Sequence, residues 1–155
     1  MKRHPSHNYS TPGGYFITFT TFNRKPLLGQ IEGASIILSD SGKIVEQLWH
    51  QLPKYFPNLT TDAFQIMPDH IHCILIINDP QVMGLDPVIC STVSSIVKRF
   101  KGSSAREINK FLGQSGNSVW QKGYHERVIR GERDLEKFRY YTETNPLRLA
   151  NRKRE

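Results

Sequence analysis

Cysteine is nearly missing: Cys73 and Cys90 are the only two in 155 residues, and no CxxC spacing occurs. That excludes a disulfide framework and a closed structural zinc site. The opening "MKRHPSHNYS" is polar throughout and has no secretory core, so the thiols are expected to be reduced and the protein cytoplasmic. Long apolar runs are lacking too. "HCILII" is bounded by Asp and Pro within ten residues, well short of the roughly 18 needed to span a bilayer. There is no internal repeat and no low-complexity segment. Acid is scarce: 14 Asp plus Glu stand against 21 Lys plus Arg, a net charge of +7. Such an excess favours a polyanionic partner over a neutral metabolite.

What remains suits one domain over 1–155, large enough for a real core at 37% hydrophobic, with a polar arm at 1–12 and a basic tail at 147–155. The cations cluster in the second half, at Lys98, Arg99 and Lys101, from Arg127 to Arg133, and in "RLANRKRE". After "PGG", "YFITFTTFN" alternates as a half-buried strand does, although Phe16, Phe19 and Phe22 do not share one parity. "GQIEGASIILS" reads as a hairpin about Glu32 and Gly33. Asp40 or Ser41 then caps a helix with Ile44, Val45, Leu48, Trp49 and Leu52 on one stripe, ended by Pro53 and Pro57. "TTDAFQIMP" and "HIHCILIIN" are strands joined by the Pro68-Asp69 turn, and "DPQVMGLDP" is a loop. Val93, Ile96, Val97 and Phe100 space a second helix that resumes through Ile108 to Leu112 after Gly102. "GQSGNS" is a break, and "VWQKGYHERVI" is a last strand. Asp134 opens a third helix carrying Leu135, Phe138 and Tyr141 or Thr142, expected to stop near Asn145 because a residue preceding proline is pushed out of the helical region. A tight turn forces the two middle strands antiparallel. The class is therefore α+β, with a ferredoxin-like antiparallel sheet as the natural arrangement.

Two features carry chemistry. On a strand, His70, His72, Ile74 and Ile76 share one face and Ile71, Cys73, Leu75 and Ile77 the other. Adjacent neutral imidazoles converge well on a divalent transition metal, and with no thiolate or histidine cluster nearby the site is an open, catalytic one if a further ligand completes it. The same pair also reads as half-exposed residues satisfied by backbone beside a turn. In "DLEKFRYYTETNPLRLA", Tyr141 and Asn145 lie four apart on one helix face, above Phe138 and Leu135. Tyr140 points about a quarter turn away with Lys137 and Thr144 and is the weaker choice. Taken alone, Tyr141 reads first as an amphipathic packing residue and Asn145-Pro146 as a helix stop.

The combination of "MPDHIHC", "VWQKGYHERVIR" and "FRYYTETNP", in that order from Gly13 to Pro146, resembles the HUH single-tyrosine transposases, in particular the REP-associated tyrosine transposase branch. The resemblance implies His70, His72 and Asn145 as metal ligands, Tyr141 as nucleophile, Mg or Mn as the ion, and single-stranded DNA with imperfect hairpins as substrate. It implies nicking and strand transfer through a 5′-phosphotyrosine, a form in which bond energy is conserved and rejoining needs no ATP. Asp69 departs from the amide residue frequent before the first histidine, Thr142 departs from the aliphatic residue often found after the tyrosine, and the hairpin near Ile31 to Leu38 is given no role. Lys98, Arg99, Lys101, Lys122, Arg127 and Arg130 are candidate nucleic-acid contacts, with Phe100, Trp120 and Tyr124 close enough in sequence to supply stacking rings. A noncatalytic nucleic-acid-binding module of the same fold, and a hydrolase using metal-activated water, are the alternatives. A homodimer, and whether Tyr141 serves its own chain or a partner, are left open.

Overall fold

The computed structural model describes residues 12–86 and 91–154, with side chains as far as Leu149. Cys90 and the polar arm lie outside the described residues. Strands β1 (Gly13–Thr20), β4 (Leu59–Ile66), β5 (His70–Ile77) and β6 (His125–Ile129) form one antiparallel sheet in the order β4-β5-β1-β6, and β2 (Gly29–Glu32) with β3 (Ser35–Leu38) forms a separate hairpin. This is the ferredoxin-like α+β arrangement expected. Helices α1 (Asp40–Gln51) and α3 (Val93–Phe111) pack together on one sheet face, while α4 (Glu132–Arg154) lies on the other; α2 (Pro80–Met83) is a single turn in the loop.

The parity of β1 decides which face does what. Tyr15, Ile17 and Phe19 point into the core with Ile71, Cys73, Leu75 and Ile77 of β5, against Val45 and Trp49 of α1 and Ile96, Val97 and Phe100 of α3. That leaves Phe16, Thr18 and Thr20 on the α4 face, opposite Ile74, His72 and His70 respectively. Trp49 stacks on Phe64 at 4.5 Å, fixing the edge strand β4 on the core side. Between Thr61 and Phe64 the ladder slips by one residue, so Asp62 and Ala63 together oppose Ile74. The bulge frees Asp62 to take both ends of the Arg139 guanidinium on α4, Nε at 2.8 Å and Nη2 at 2.6 Å.

Four local expectations are corrected. Ser39, rather than Asp40 or Ser41, caps α1, its Oγ accepting from the Gly42 amide at 3.0 Å. Gly42 has to be glycine because a Cβ there would lie 2.1 Å from the Leu28 carbonyl oxygen. The last strand starts at His125; Trp120 makes only an isolated bridge to Thr21, since the intervening Gly123 takes a φ of 79°. Finally, α4 does not stop at Asn145 but continues through Pro146 to Arg154. An internal proline costs about 3 kcal/mol. Burial of Pro146 and contact of α4 with the β2–β3 hairpin favour continuation, so tertiary packing overrides the local rule here. α3 runs unbroken through Gly102, where the sequence allowed an interruption.

Candidate active site

The Pro68-Asp69 turn is pinned before β5 begins. Thr21 N donates to Asp69 O at 2.9 Å, Leu28 N to Pro68 O at 3.0 Å, and Met67 N to His70 O at 2.8 Å. Held this way, His70 and His72 leave the strand side by side, ring centroids 4.7 Å apart. Each imidazole spends Nδ1 on the protein. His70 Nδ1–H donates to Asp69 Oδ1 at 2.6 Å, and Asp69 in turn accepts from Arg24 Nε at 3.2 Å. Burial pulls the Asp69 carboxyl upward, but the hydrogen bond and charge of His70, joined by Arg24, outweigh it and leave it below the ordinary value. His72 Nδ1 sits 2.8 Å from Thr18 Oγ1. Burial, with the charges of His70 and Arg148 adding to it, lowers the His72 pKa to about 3, so its ring is neutral at physiological pH. Two imidazoles with Nδ1 engaged present Nε2, the arrangement in which metal-binding histidines are held.

α4 brings the other half. Tyr141, 40% exposed, meets the His72 ring edge-on at 5.4 Å and the Phe16 ring edge-on at 6.0 Å. Phe138, one turn earlier, stacks on Phe16 at 4.7 Å, and Thr142 is fully buried with Oγ1 donating to Phe138 O at 2.7 Å. So the helix faces the sheet through Phe138 and Thr142, and Tyr141 is turned to the histidines. Asp69, His70, His72, Tyr141, Asn145 and Arg148 line one cleft of about 450 Å³. The structure thus brings together all four residues singled out for chemistry, within one chain.

Asn145 Nδ2 is buried with no hydrogen-bond partner, and so is Arg148 Nε. Orphaned polar atoms in a cleft are where a ligand is still to be found. Among the described residues no three His, Cys, Asp or Glu side chains are grouped to hold a metal. The donor set available to a cation is therefore Nε2 of His70 and His72 plus the Asn145 amide, leaving positions open for phosphate or water oxygens, and that chemistry fits a hard or borderline divalent ion.

Sequence reasoning missed Arg148. Its guanidinium lies 4.1 Å from the Tyr141 ring centroid, and Nη2 donates to the Tyr141 carbonyl oxygen. The signal was present, since Arg148 follows Asn145 by three and Tyr141 by seven, but it was hidden by ending the helix at Asn145. Thr18 and Arg24 were also missed, and Asp69, noted only as a departure, proves to be the partner of His70. Ile31 of the hairpin left without a role forms part of the cleft wall.

The six predicted basic contacts do not gather here. Arg127 projects from β6 on the α4 face, opposite Phe16. Lys98 borders a separate depression beside Tyr124, and Arg99 stacks over Tyr55 at 3.9 Å on the α1–α3 side. Lys101 ties the loop before β6 by donating to the carbonyls of Gln121 at 2.8 Å and Gly123 at 2.6 Å. Lys122 and Arg130 are exposed and do not line the cleft beside Tyr141. Phe100 and Trp120 are buried, the indole N–H donating to Ser104 Oγ at 2.9 Å, so neither offers a face to a base.

Residues 41–145, spanning both histidines, Tyr141 and Asn145, match the family model described as "Transposase IS200 like". The chain belongs to the IS200-like transposase family. An uncharacterized protein of Haemophilus influenzae is 34% identical over 157 residues, covering 91% of this chain and 84% of its own length. Among solved structures, a REP-associated tyrosine transposase bound to a REP hairpin superposes with a TM-score of 0.65 at 19% identity, over 96% of this chain and 74% of that one. A Deinococcus radiodurans protein whose description as a transposase is provisional gives 0.50 at 20% identity, over 93% and 98%. At such identities these two likenesses establish the fold, the α+β transposase fold with its four-stranded antiparallel sheet. Among the described residues, no helix is long and apolar enough to cross a membrane.

Proposed function

We propose that this IS200-like transposase nicks single-stranded DNA and transfers the strand through a covalent 5′-phosphotyrosine on Tyr141. One observation carries the reading: Tyr141 shares a cleft with His70, His72 and Asn145 of its own chain, its ring 5.4 Å from that of His72. The Tyr141 oxygen forms a bond to the phosphorus as the bond to the 3′ oxygen breaks. The phenolic proton passes to water in the open cleft, and the leaving oxygen takes a proton to become a 3′ hydroxyl. One phosphoester is exchanged for another, so a different 3′ hydroxyl reverses the step and joins a new strand.

Nε2 of His70 and His72 and the amide oxygen of Asn145 would hold Mg or Mn, which supplies charge stabilisation to the phosphate oxygens when bound. The chain's own groups do the rest. Asp69 and Thr18 fix the orientation of the two imidazoles, burial keeps His72 neutral, and Arg148 holds the Tyr141 ring in place while adding positive charge to the cleft. The REP-associated relative is bound to a hairpin, which supports an imperfect DNA hairpin as the structured part of the substrate.

Labelled hairpin DNA with single-stranded flanks, incubated with Mn, tests the reading. Wild-type protein is expected to yield a protein–DNA adduct that resists denaturant, and Tyr141→Phe none. Nicking by Tyr141→Phe without attached protein would transfer the reaction to activated water. Absence of any nick with the wild type would leave a binding module.

A further inference from the structure

A second cleft opens against the other side of Tyr141. It measures about 460 Å³, within the about 300–1,000 Å³ of ordinary small-molecule sites, and it shares Tyr141, His72 and Arg148 with the first. Phe16 and Phe138, stacked on one another, form part of its wall. At its margin stand Tyr140, 69% exposed on α4, with Arg127 of β6 and Lys137 of α4. None of its lining residues is acidic.

The exposed ring of Tyr140 borders a concave site carrying three cations, counting Arg148. Aromatic faces combined with positive charge and no carboxylate suit a ligand that is itself a flat ring joined to a phosphate. A base inside a duplex has both faces covered by its neighbours, so a ring such as Tyr140 favours an unpaired one. The shared wall at Tyr141 sets where along the strand that nucleotide falls. We infer that this cleft is a subsite for an unpaired nucleotide flanking the cleaved phosphate, its base stacked on Tyr140 and its phosphate held by Arg127 and Lys137. The inference rests on the nicking reading for its position in the strand. The binding site itself is testable without any cleavage.

For that reason the test is run in a Tyr141→Phe background and reads affinity alone. Fluorescein-labelled oligo-dT of about 12 nucleotides, within the site sizes of single-strand binders, is compared by anisotropy with an abasic oligomer of equal length and charge. Oligo-dT is expected to bind about tenfold more tightly than the abasic chain. Adding Tyr140→Ala should erase most of that ratio while leaving abasic affinity unchanged; Tyr140 is a surface residue, so the fold is not at stake. Arg127→Ala should weaken both ligands and lower the dependence on log salt by about one. Photocrosslinking oligo-dT substituted with 5-bromodeoxyuridine should mark the peptide containing Tyr140. An unchanged dT-to-abasic ratio in Tyr140→Ala, an equal loss for both ligands, or crosslinks confined to peptides outside α4 would overturn the subsite. None of these results depends on adduct formation by the wild type, so a failure of the nicking reading is seen separately.

Discussion

Arg148 acts on Tyr141 in two ways at once. The guanidinium covers one face of the ring at 4.1 Å, and the same side chain donates to the Tyr141 carbonyl oxygen, so ring and backbone are held from a single point about two helical turns away. A cation over an aromatic face is worth about 0.5–2 kcal/mol. That is enough to decide between two positions of a 40%-exposed ring whose other ring contacts, among the described residues, are edge-on with Phe16 and His72. Lysine can restore the charge but neither the plane nor the fork. Arg148→Ala is therefore expected to slow adduct formation at saturating DNA by about tenfold or more. Arg148→Lys should recover only part of the loss, with near-UV circular dichroism unchanged for both. If single-turnover rates were equal and only KM rose, Arg148 would be a plain DNA contact and its role in placing Tyr141 would be wrong.

At the scale of elements, the decisive contact is α4 against the sheet. The bulge in β4 turns Asp62 toward Arg139, and the two-pronged hydrogen bond fastens the helix carrying Tyr141 to the strand beside β5. The hydrogen bond from Arg139 is the largest influence on Asp62. With the Ala63 amide and the Arg139 charge it outweighs burial and leaves the carboxyl pKa below its model-compound value of 3.8. A carboxyl whose folded pKa is depressed binds fewer protons folded than unfolded in that range, so its contribution is intact above 3.8 and declines as pH falls through the folded value. Asp62→Asn should accordingly lower the urea midpoint at pH 7, and the gap to wild type should narrow below pH 4, as followed by far-UV circular dichroism. A gap of constant size across that range would mean that the ion pair contributes nothing to docking α4. Sequence alone could not reveal this clamp, because Asp62 and Arg139 are separated by 77 positions and the bulge that joins them leaves no periodic trace. What sequence did reveal was the local frame, short of some caps and element ends. The order of strands and helices, the hairpin about Gly33, and the pairing of His70 with His72 on one face all follow from alternation and turn chemistry. The end of α4 was misjudged for the opposite reason, since the local preference before Pro146 yields to burial that no local rule can see, and Arg148 was lost with it.

For the molecule as a whole, the open question from sequence was whether Tyr141 serves its own histidines or those of a second copy. Connectivity argues for its own. β6 ends at Ile129 and α4 begins at Glu132. The two residues between span at most about 7 Å even when extended, and Arg130 N is further tied to Asp134 Oδ2 at 3.0 Å. Swinging α4 to another subunit would mean unzipping β6 from β1, breaking the Asp62–Arg139 clamp and separating Phe16 from Phe138. A site completed within one chain makes a definite prediction. Tyr141→Phe retains the histidine half, and a His70→Ala, His72→Ala double variant retains the tyrosine half. Mixed in equal amounts, these two should form no adduct beyond the sum of what each forms alone. Exchange between subunits would restore the adduct on the histidine variant, whose Tyr141 would be acting at the intact cleft of its partner. In that event α4 must leave its own sheet, and the rate of restoration would report how readily the Asp62 clamp opens.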